Sequence, residues 1–347
     1  MPDNQDPVCG MPLPIPVAAN HVSWKVRYVQ YTDATFSHRV PQPARLGILG
    51  PVLRGVVGEY IEVTFLNRAQ GGVFSMHPHG VKYDKDSEGS YHSETADRLH
   101  AGEPPFEGRG AAIGYGGRFT YVWYCDESSG PLPSEPSSKA WLYHSHVRSG
   151  HDINLGLEGF IVVTDPKRAR PDGTPNDVDR EMAALFLIYD ESGLDDEAAE
   201  AAPGPFDSKQ WAYLQNVKEQ SQRFGINGCI YGNLHGLEMN EGERVRWYLF
   251  GLGSENDQHT AHWHGLRVIE DGRRRTDVVE LLPASMKTAD MIADDPGAWL
   301  FHCHVEEHMS GGMFARVIVY PKDQPGVSRA PESAFFGLQP ANTQPSP

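Results

Sequence analysis

Residues 301–313 read Phe301-His302-Cys303-His304-Val305-Glu306-Glu307-His308-Met309-Ser310-Gly311-Gly312-Met313, with three histidines, one cysteine and two methionines. In an extended chain successive side chains alternate faces, so His302 and His304 point one way and Cys303 the other. One strand then serves two metal loci, imidazoles on one face and a thiolate on the other. A thiolate with imidazoles and a weak thioether is the donor set of a blue electron-transfer copper. The peptide at Cys303 would tie that copper covalently to a second, all-histidine site.

Working outward, the chain contains three more His-x-His pairs: His77/His79, His144/His146 and His262/His264. Each pair, held in a strand, offers two neutral imidazoles to one locus. The pairs sit at matching places in two halves. Gly80 follows His77-Pro78-His79, and Gly265 follows His262-Trp263-His264. Trp141-Leu-Tyr-His144-Ser145-His146-Val147 answers Trp299-Leu-Phe-His302-Cys303-His304-Val305. Eight imidazoles in duplicated halves supply three metal ions at two or three ligands each.

His259 lies three residues before His262 and so faces the opposite side from that pair, the side to which Cys303 points. His259, Cys303 and His308 therefore close a His₂Cys site with a methionine, Met309 or Met313, as weak axial ligand. The first half lacks this site, because Phe74 stands at the position of His259 and Ser145 at that of Cys303. Zinc fits poorly: no C-x-x-C spacing exists, and one thiolate among so many histidines is not a zinc ribbon.

The remaining text is strand-like. Residues 22–29, 60–66, 118–124, 159–164, 183–189, 244–250, 266–269 and 316–320 alternate or run apolar, and glycine (36) and proline (27) punctuate them. The expectation is an all-β chain of two cupredoxin-like Greek-key β-sandwich domains. Its expected limits are a flexible arm at 1–16, domain one at 17–166, a linker at 167–182, domain two at 183–322, and a Pro-rich tail at 323–347. Within the acidic stretch 190–202, residues 194–202 are acidic and Ala-rich and read as one short helix or a solvated insertion. Net charge is -16 without a basic run, which argues against nucleic acid, and no apolar run is long enough to span a bilayer. Residues 1–15 lack a basic and an apolar region, so no signal peptide is read there. Cys9, Cys125, Cys229 and Cys303 are too few for a disulfide framework; Cys125 and Cys229 either pair or stay as buried thiols.

Taken together, HPHG, HSH, HTAHWHG and HCHVEEHMSGGM match in order and spacing the four copper motifs of the multicopper oxidases. The sequence resembles a two-domain member of that family over residues 20–322. The resemblance implies four coppers per subunit equivalent. His77 and His262 would hold the type 2 ion, and His79, His144, His146, His264, His302 and His304 the type 3 pair. His259, Cys303 and His308 would hold type 1, with Met313 axial. It implies electron entry at the type 1 site, transfer along His302-Cys303-His304, and reduction of O₂ to water at the trinuclear cluster. By the same resemblance Tyr83 lends an electron beside the cluster and Glu88 relays protons, with Asp84 or Asp86 as alternates. It further implies a homotrimer in which domain one of one chain meets domain two of the next, and a secreted or periplasmic location.

GVKYDKDSEGS, INGCIYGN and GLGSENDQHTAHWHG are similar to ceruloplasmin-like proteins, whose Fe(II) site uses acids beside the type 1 copper. Glu219, Glu255 and Glu307 match such positions, with Asp257 close by, but Phe224 stands where that iron site has a histidine. The expected donor is therefore a phenol or aromatic amine, as in laccases. The alternative is a metal oxidase of Fe(II) or Cu(I). A copper nitrite reductase is disfavoured because it carries its blue copper in the first domain, and a copper-storage protein because it has no need of the His-Cys-His bridge.

Overall fold

The computed structural model describes residues 25–91, 108–192, 219–254 and 256–328. The strands are β1 (Leu53–Val56), β2 (Tyr60–Leu66), β3 (His77–Pro78), β4 (Arg118–Tyr124), β5 (Ser138–His144), β6 (Glu158–Thr164), β7 (Arg180–Asp190), β8 (Gln222–Ile226) and β9 (Glu238–Asn240). They continue with β10 (Arg244–Gly251), β11 (His259–Trp263), β12 (Val268–Glu270), β13 (Arg274–Thr276), β14 (Val278–Leu281), β15 (Met286–Ile292), β16 (Gly297–Cys303) and β17 (Phe314–Tyr320). The fold is all-β and cupredoxin-like.

Four sheets lie in sequence through the molecule. The β2-β4 ribbon faces a sheet ordered β1-β6-β5-β3; behind it come β13-β12-β15-β10-β7-β8 and then β14-β11-β16-β17-β9. Three apolar layers separate them. One lies inside the first sandwich, around Tyr121, Trp123 and Ile161. Another lies inside the second, around Trp247, Trp263 and Phe301. The third lies between the sandwiches, where Leu142, Phe160 and Val162 meet Leu185, Leu187, Tyr248 and Phe250. This explains why residues 183–189 read as an uninterrupted apolar run: alternate side chains of β7 enter different apolar layers, so both faces are buried.

The middle layer is stacked and pinned. Phe160 and Phe250 stack with ring centroids 4.1 Å apart. Arg54 donates to Glu181 across the boundary, and the Tyr248 hydroxyl donates to the same carboxylate at 2.6 Å. Fully buried Arg246 reaches Asp290 on its own sheet, and Asp177, Ser137 and Ser138 towards the other.

Two sequence expectations change. Of residues 22–29, the described ones, 25–29, form no strand. Val26 donates one backbone bond to Leu155, while Tyr28 drives its ring into the first core and its hydroxyl onto the Ser75 carbonyl. Their alternation reflects one buried side chain of a draped segment. Cys125 and Cys229 do not pair: Cys125 is a buried free thiol, and Cys229 is disulfide-bonded. The arm at 1–16, most of the acidic insertion, and the tail beyond 328 also lie outside the described residues.

Candidate metal centre

β11 and β16 pair antiparallel, setting Ala261 opposite Cys303 and His262 opposite His302. His259 opens β11 and Cys303 closes β16, and the short helix Glu306–Ser310 turns the chain so that His308 re-enters the same pocket. Cys303 Sγ lies 3.9 Å from His259 Nδ1 and 3.6 Å from His308 Nδ1, and the two nitrogens are 3.1 Å apart. The circle through those three atoms has a radius of about 2.1 Å, a metal–nitrogen bond length. An ion centred among the donors is therefore in bonding range of all of them. Met313 is fully buried, and its carbonyl accepts the Cys303 N–H at 3.0 Å; Met309 is only half-buried.

The electrostatics favour a thiolate. Burial opposes ionisation of Cys303, but the contacts to His259 and His308 and the N–H groups of Thr260 and Val305 outweigh it and bring the thiol down to about 6. At Cys125 burial has no such opposition, and with Glu59 and Asp126 nearby it pushes the thiol up to about 12. The two buried cysteines thus differ in charge state, Cys303 favouring the thiolate and Cys125 the protonated thiol.

The eight paired histidines form two quartets. In the first, His79 Nε2 and His144 Nε2 face each other at 3.2 Å, and His77 and His146 pack ring to ring at 5.1 Å. In the second, His264 Nε2 and His302 Nε2 lie 3.1 Å apart, and His262 joins them in a three-donor group. Backbone carbonyls orient the rings. Nδ1–H of His77 donates to Glu88 O and that of His262 to Asp277 O; His144 and His302 donate to Ser145 O and Cys303 O. Each bond turns the Nε2 lone pair towards the shared locus. Burial, followed by the neighbouring rings, depresses His79 to about 4. Burial also holds His144 at about 3, with its Ser145 bond partly opposing and the other rings adding to the depression. These imidazoles stay neutral and ligand-ready. Among the described residues, every imidazole contact between quartet histidines stays inside its own quartet. His264 and His304 are exposed, whereas no histidine of the first quartet is.

The other expected site residues fall unevenly. Tyr83 is 40% exposed, with its ring 6.0 Å from that of His77. The Glu88 carboxylate pairs with Lys85, and it is the backbone carbonyl of Glu88 that touches His77. Asp84 caps a short 3-10 turn by accepting from Ser87, and Asp86 is held by Arg109. Glu219 and Glu307 are exposed, Glu307 immediately before His308; Glu255 lies outside the described residues.

Asp257 is turned into the protein interior and away from the surface. It is 2% exposed and both of its oxygens are engaged within the fold, one of them 3.3 Å from His259 Nε2. Its isolated reading as one acid among several hid this, because the contact to Ile188 joins residues far apart in sequence. Phe224 packs over His308 with ring centroids 5.3 Å apart, and a Cβ on Gly311 would sit 2.4 Å from that ring. Thr260, which donates its N–H to Cys303 Sγ and accepts the His304 N–H on its hydroxyl oxygen, was missed because threonine in a strand carries no signal. Its N–H···S distance is 3.4 Å, and its Oγ1 accepts from the His304 N–H at 3.1 Å.

Comparison with known proteins bears on this donor set. A family model described as multicopper oxidase matches residues 204–323. The ferroxidase HEPHL1 of Homo sapiens is 36% identical over 315 residues, covering 86% of this chain and 26% of the relative. Human hephaestin is 37% identical over 303 residues, 84% of this chain and 25% of hephaestin. The chain belongs to the multicopper oxidase family. It spans about a quarter of the length of these relatives. In fold it is similar to a solved multicopper oxidase (TM-score 0.53, 18% identity, 78% of each chain). It is similar also to a copper nitrite reductase from Nitrosomonas europaea (TM-score 0.54, 20% identity, 84% and 88%). Copper is the metal the family implies, and one soft thiolate with convergent neutral imidazoles suits it.

Proposed function

We propose that this chain is a copper-dependent oxidoreductase that couples oxidation of a small reducing donor to reduction of O₂ to water. The observation that supports it most is the placement of three consecutive residues: Cys303 in a buried His₂Cys triangle, and His302 and His304 in a histidine quartet on the other side of the same strand. Four coppers per subunit equivalent, when bound, would supply one-electron exchange at the triangle and multi-electron O₂ reduction at the quartets.

The protein's own part is positional. His259, Cys303 and His308, with the buried Met313 whose carbonyl accepts the Cys303 N–H, would hold the type 1 ion among buried side chains. His77 and His262 would hold type 2, and the other six paired histidines type 3. The Cys303 carbonyl accepts from His302 Nδ1–H at 2.7 Å, so a hydrogen bond runs beside the covalent link between the two sites. Tyr83, with its ring 6.0 Å from that of His77, would lend an electron there. Glu88 is left with a backbone role there.

For the donor, the relatives favour a metal ion such as Fe(II) or Cu(I) over the phenol expected from the sequence. A ferroxidase is among the most similar of them, and Glu307 sets an exposed carboxylate next to His308. The phenol reading keeps one support, Phe224, whose ring rather than a metal ligand covers His308. The discriminating measurement is kcat/KM for Fe(II) and for a methoxyphenol on copper-loaded protein, wild type and Glu307→Ala. We expect a several-fold greater loss for iron; equal losses would sink the metal-ion reading.

Each quartet supplies half of the imidazoles and, among the described residues, keeps its ring contacts to itself, which supports a cluster completed where the first quartet of one chain faces the second of another. A ring of three chains closes such a heterologous interface. A fully active monomer in light scattering at assay concentration would rule it out.

A further inference from the structure

We propose that Asp257 is the positioning residue of the thiolate site, setting the tautomer of His259 and placing a fixed negative charge behind it; this rests on the copper reading of that site. The carboxylate is held from several directions. Oδ1 accepts the Ile188 N–H of β7 at 2.7 Å and faces His259 Nε2 at 3.3 Å. Oδ2 accepts the Ser254 N–H at 2.8 Å and the Ser254 hydroxyl at 3.3 Å. Gly253, at φ +115°, lies so close that a Cβ there would sit 2.2 Å from Oδ2. Separate parts of the fold thus fix one buried carboxylate, and among the described residues its one side-chain hydrogen-bond partner beyond the Ser254 turn is the imidazole.

An ionised carboxylate only accepts hydrogen bonds, so His259 must carry its proton on Nε2. Nδ1, the atom facing Cys303 Sγ and His308 Nδ1, is then left as a lone pair. Outer partners of this kind fix ring orientation and raise ligand basicity. A buried anion also favours whichever state of the site is more positive, which is the oxidised one.

Two variants of the full-length, copper-loaded protein test this. Asp257→Ala removes the acceptor, and copper affinity at the thiolate site, from competition with a chelator, should fall about 10–100-fold. Asp257→Asn keeps a neutral acceptor of the same shape. It should restore most of that affinity and retain the blue absorption, while a potentiometric titration of the band moves to more positive potential. A merely structural role predicts instead that both variants lower the denaturation midpoint of copper-free protein and leave the Asn variant's potential unmoved. That result, or wild-type affinity in the Ala variant, overturns the proposal. Failure of the copper reading looks different, because wild-type protein loaded with copper would then show no blue band.

Discussion

The His₂Cys pocket and its counterpart in the first sandwich are one scaffold with two contents. Cys303 N–H donates to Met313 O, and Ser145 N–H to Leu157 O. Met313 N–H donates to His308 O, and Leu157 N–H to Asp152 O. Thr260 N–H points at Cys303 Sγ at 3.4 Å; Ser75 N–H points at Ser145 Oγ at 3.2 Å. By these bonds Ser145, Asp152 and Leu157 occupy the places of Cys303, His308 and Met313, and Phe74 that of His259. In the first pocket the Ser145 hydroxyl donates to Asp152 at 2.6 Å, closing a hydrogen bond where the second holds donors for an ion. The backbone alone does not make a metal site. What makes one is three lone pairs left unspent and aimed at a common point.

The strongest way to break this comparison is to write the first pocket into the second. Cys303→Ser should abolish the blue band and reduce donor oxidation to background while the fold persists, because Ser145 already sits in the same backbone cage. Retention of the band would mean that Cys303 is not the thiolate ligand.

Acid provides the next test. His144 and His79 have pKa values well below the ordinary histidine value near 6.5 when folded. Unfolding then takes up protons at any pH between that value and the folded ones, so stability of copper-free protein is present above about 6.5 and falls as pH is lowered towards 4 and 3. Urea midpoints against pH should show that slope, and a His79→Gln/His144→Gln variant should flatten it.

A smaller effect separates the two turns that follow the first His-x-His pair of each half. Gly80 (φ 69°) and Gly265 (φ 71°) both lie under tryptophans, where a Cβ would approach the Trp141 ring to 2.0 Å and the Trp299 ring to 2.9 Å. Alanine at either should cost about 1–3 kcal/mol from backbone strain alone, with Gly80→Ala the worse in a denaturant titration. Glu88→Gln marks the bottom of the scale. The main-chain carbonyl holds His77, so turnover should change by less than about twofold, a size typical of a surface substitution; a large loss would restore the proton-relay role.

Much of this was legible because metal chemistry spends rare residues at fixed spacings. His-x-His in strands fixes a face, and the odd offset of His259 from His262 fixes the opposite one; the triangle with Cys303 follows from parity. The second-sandwich strands were legible for a similar reason, since a run such as residues 183–189 has few alternatives. What sequence hid was made by contacts distant along the chain. Asp257 reads as one more acid until Ile188 and Ser254 are seen to hold it. Asp152 reads as nothing until its carbonyl is found where His308 has its own. Residues 25–29 alternate like a strand, yet their neighbours offer only scattered bonding partners.

The stacked layer between the sandwiches has a thermodynamic consequence. Phe160 on Phe250 and the Arg54–Glu181–Tyr248 cluster fasten the two quartets to one body, so folding fixes their separation. If each quartet is half of a shared cluster, ions that bridge two chains also bind those chains to each other, and association becomes linked to metal activity. Dilution and chelation then become the same perturbation applied from opposite ends, each releasing what the other removes.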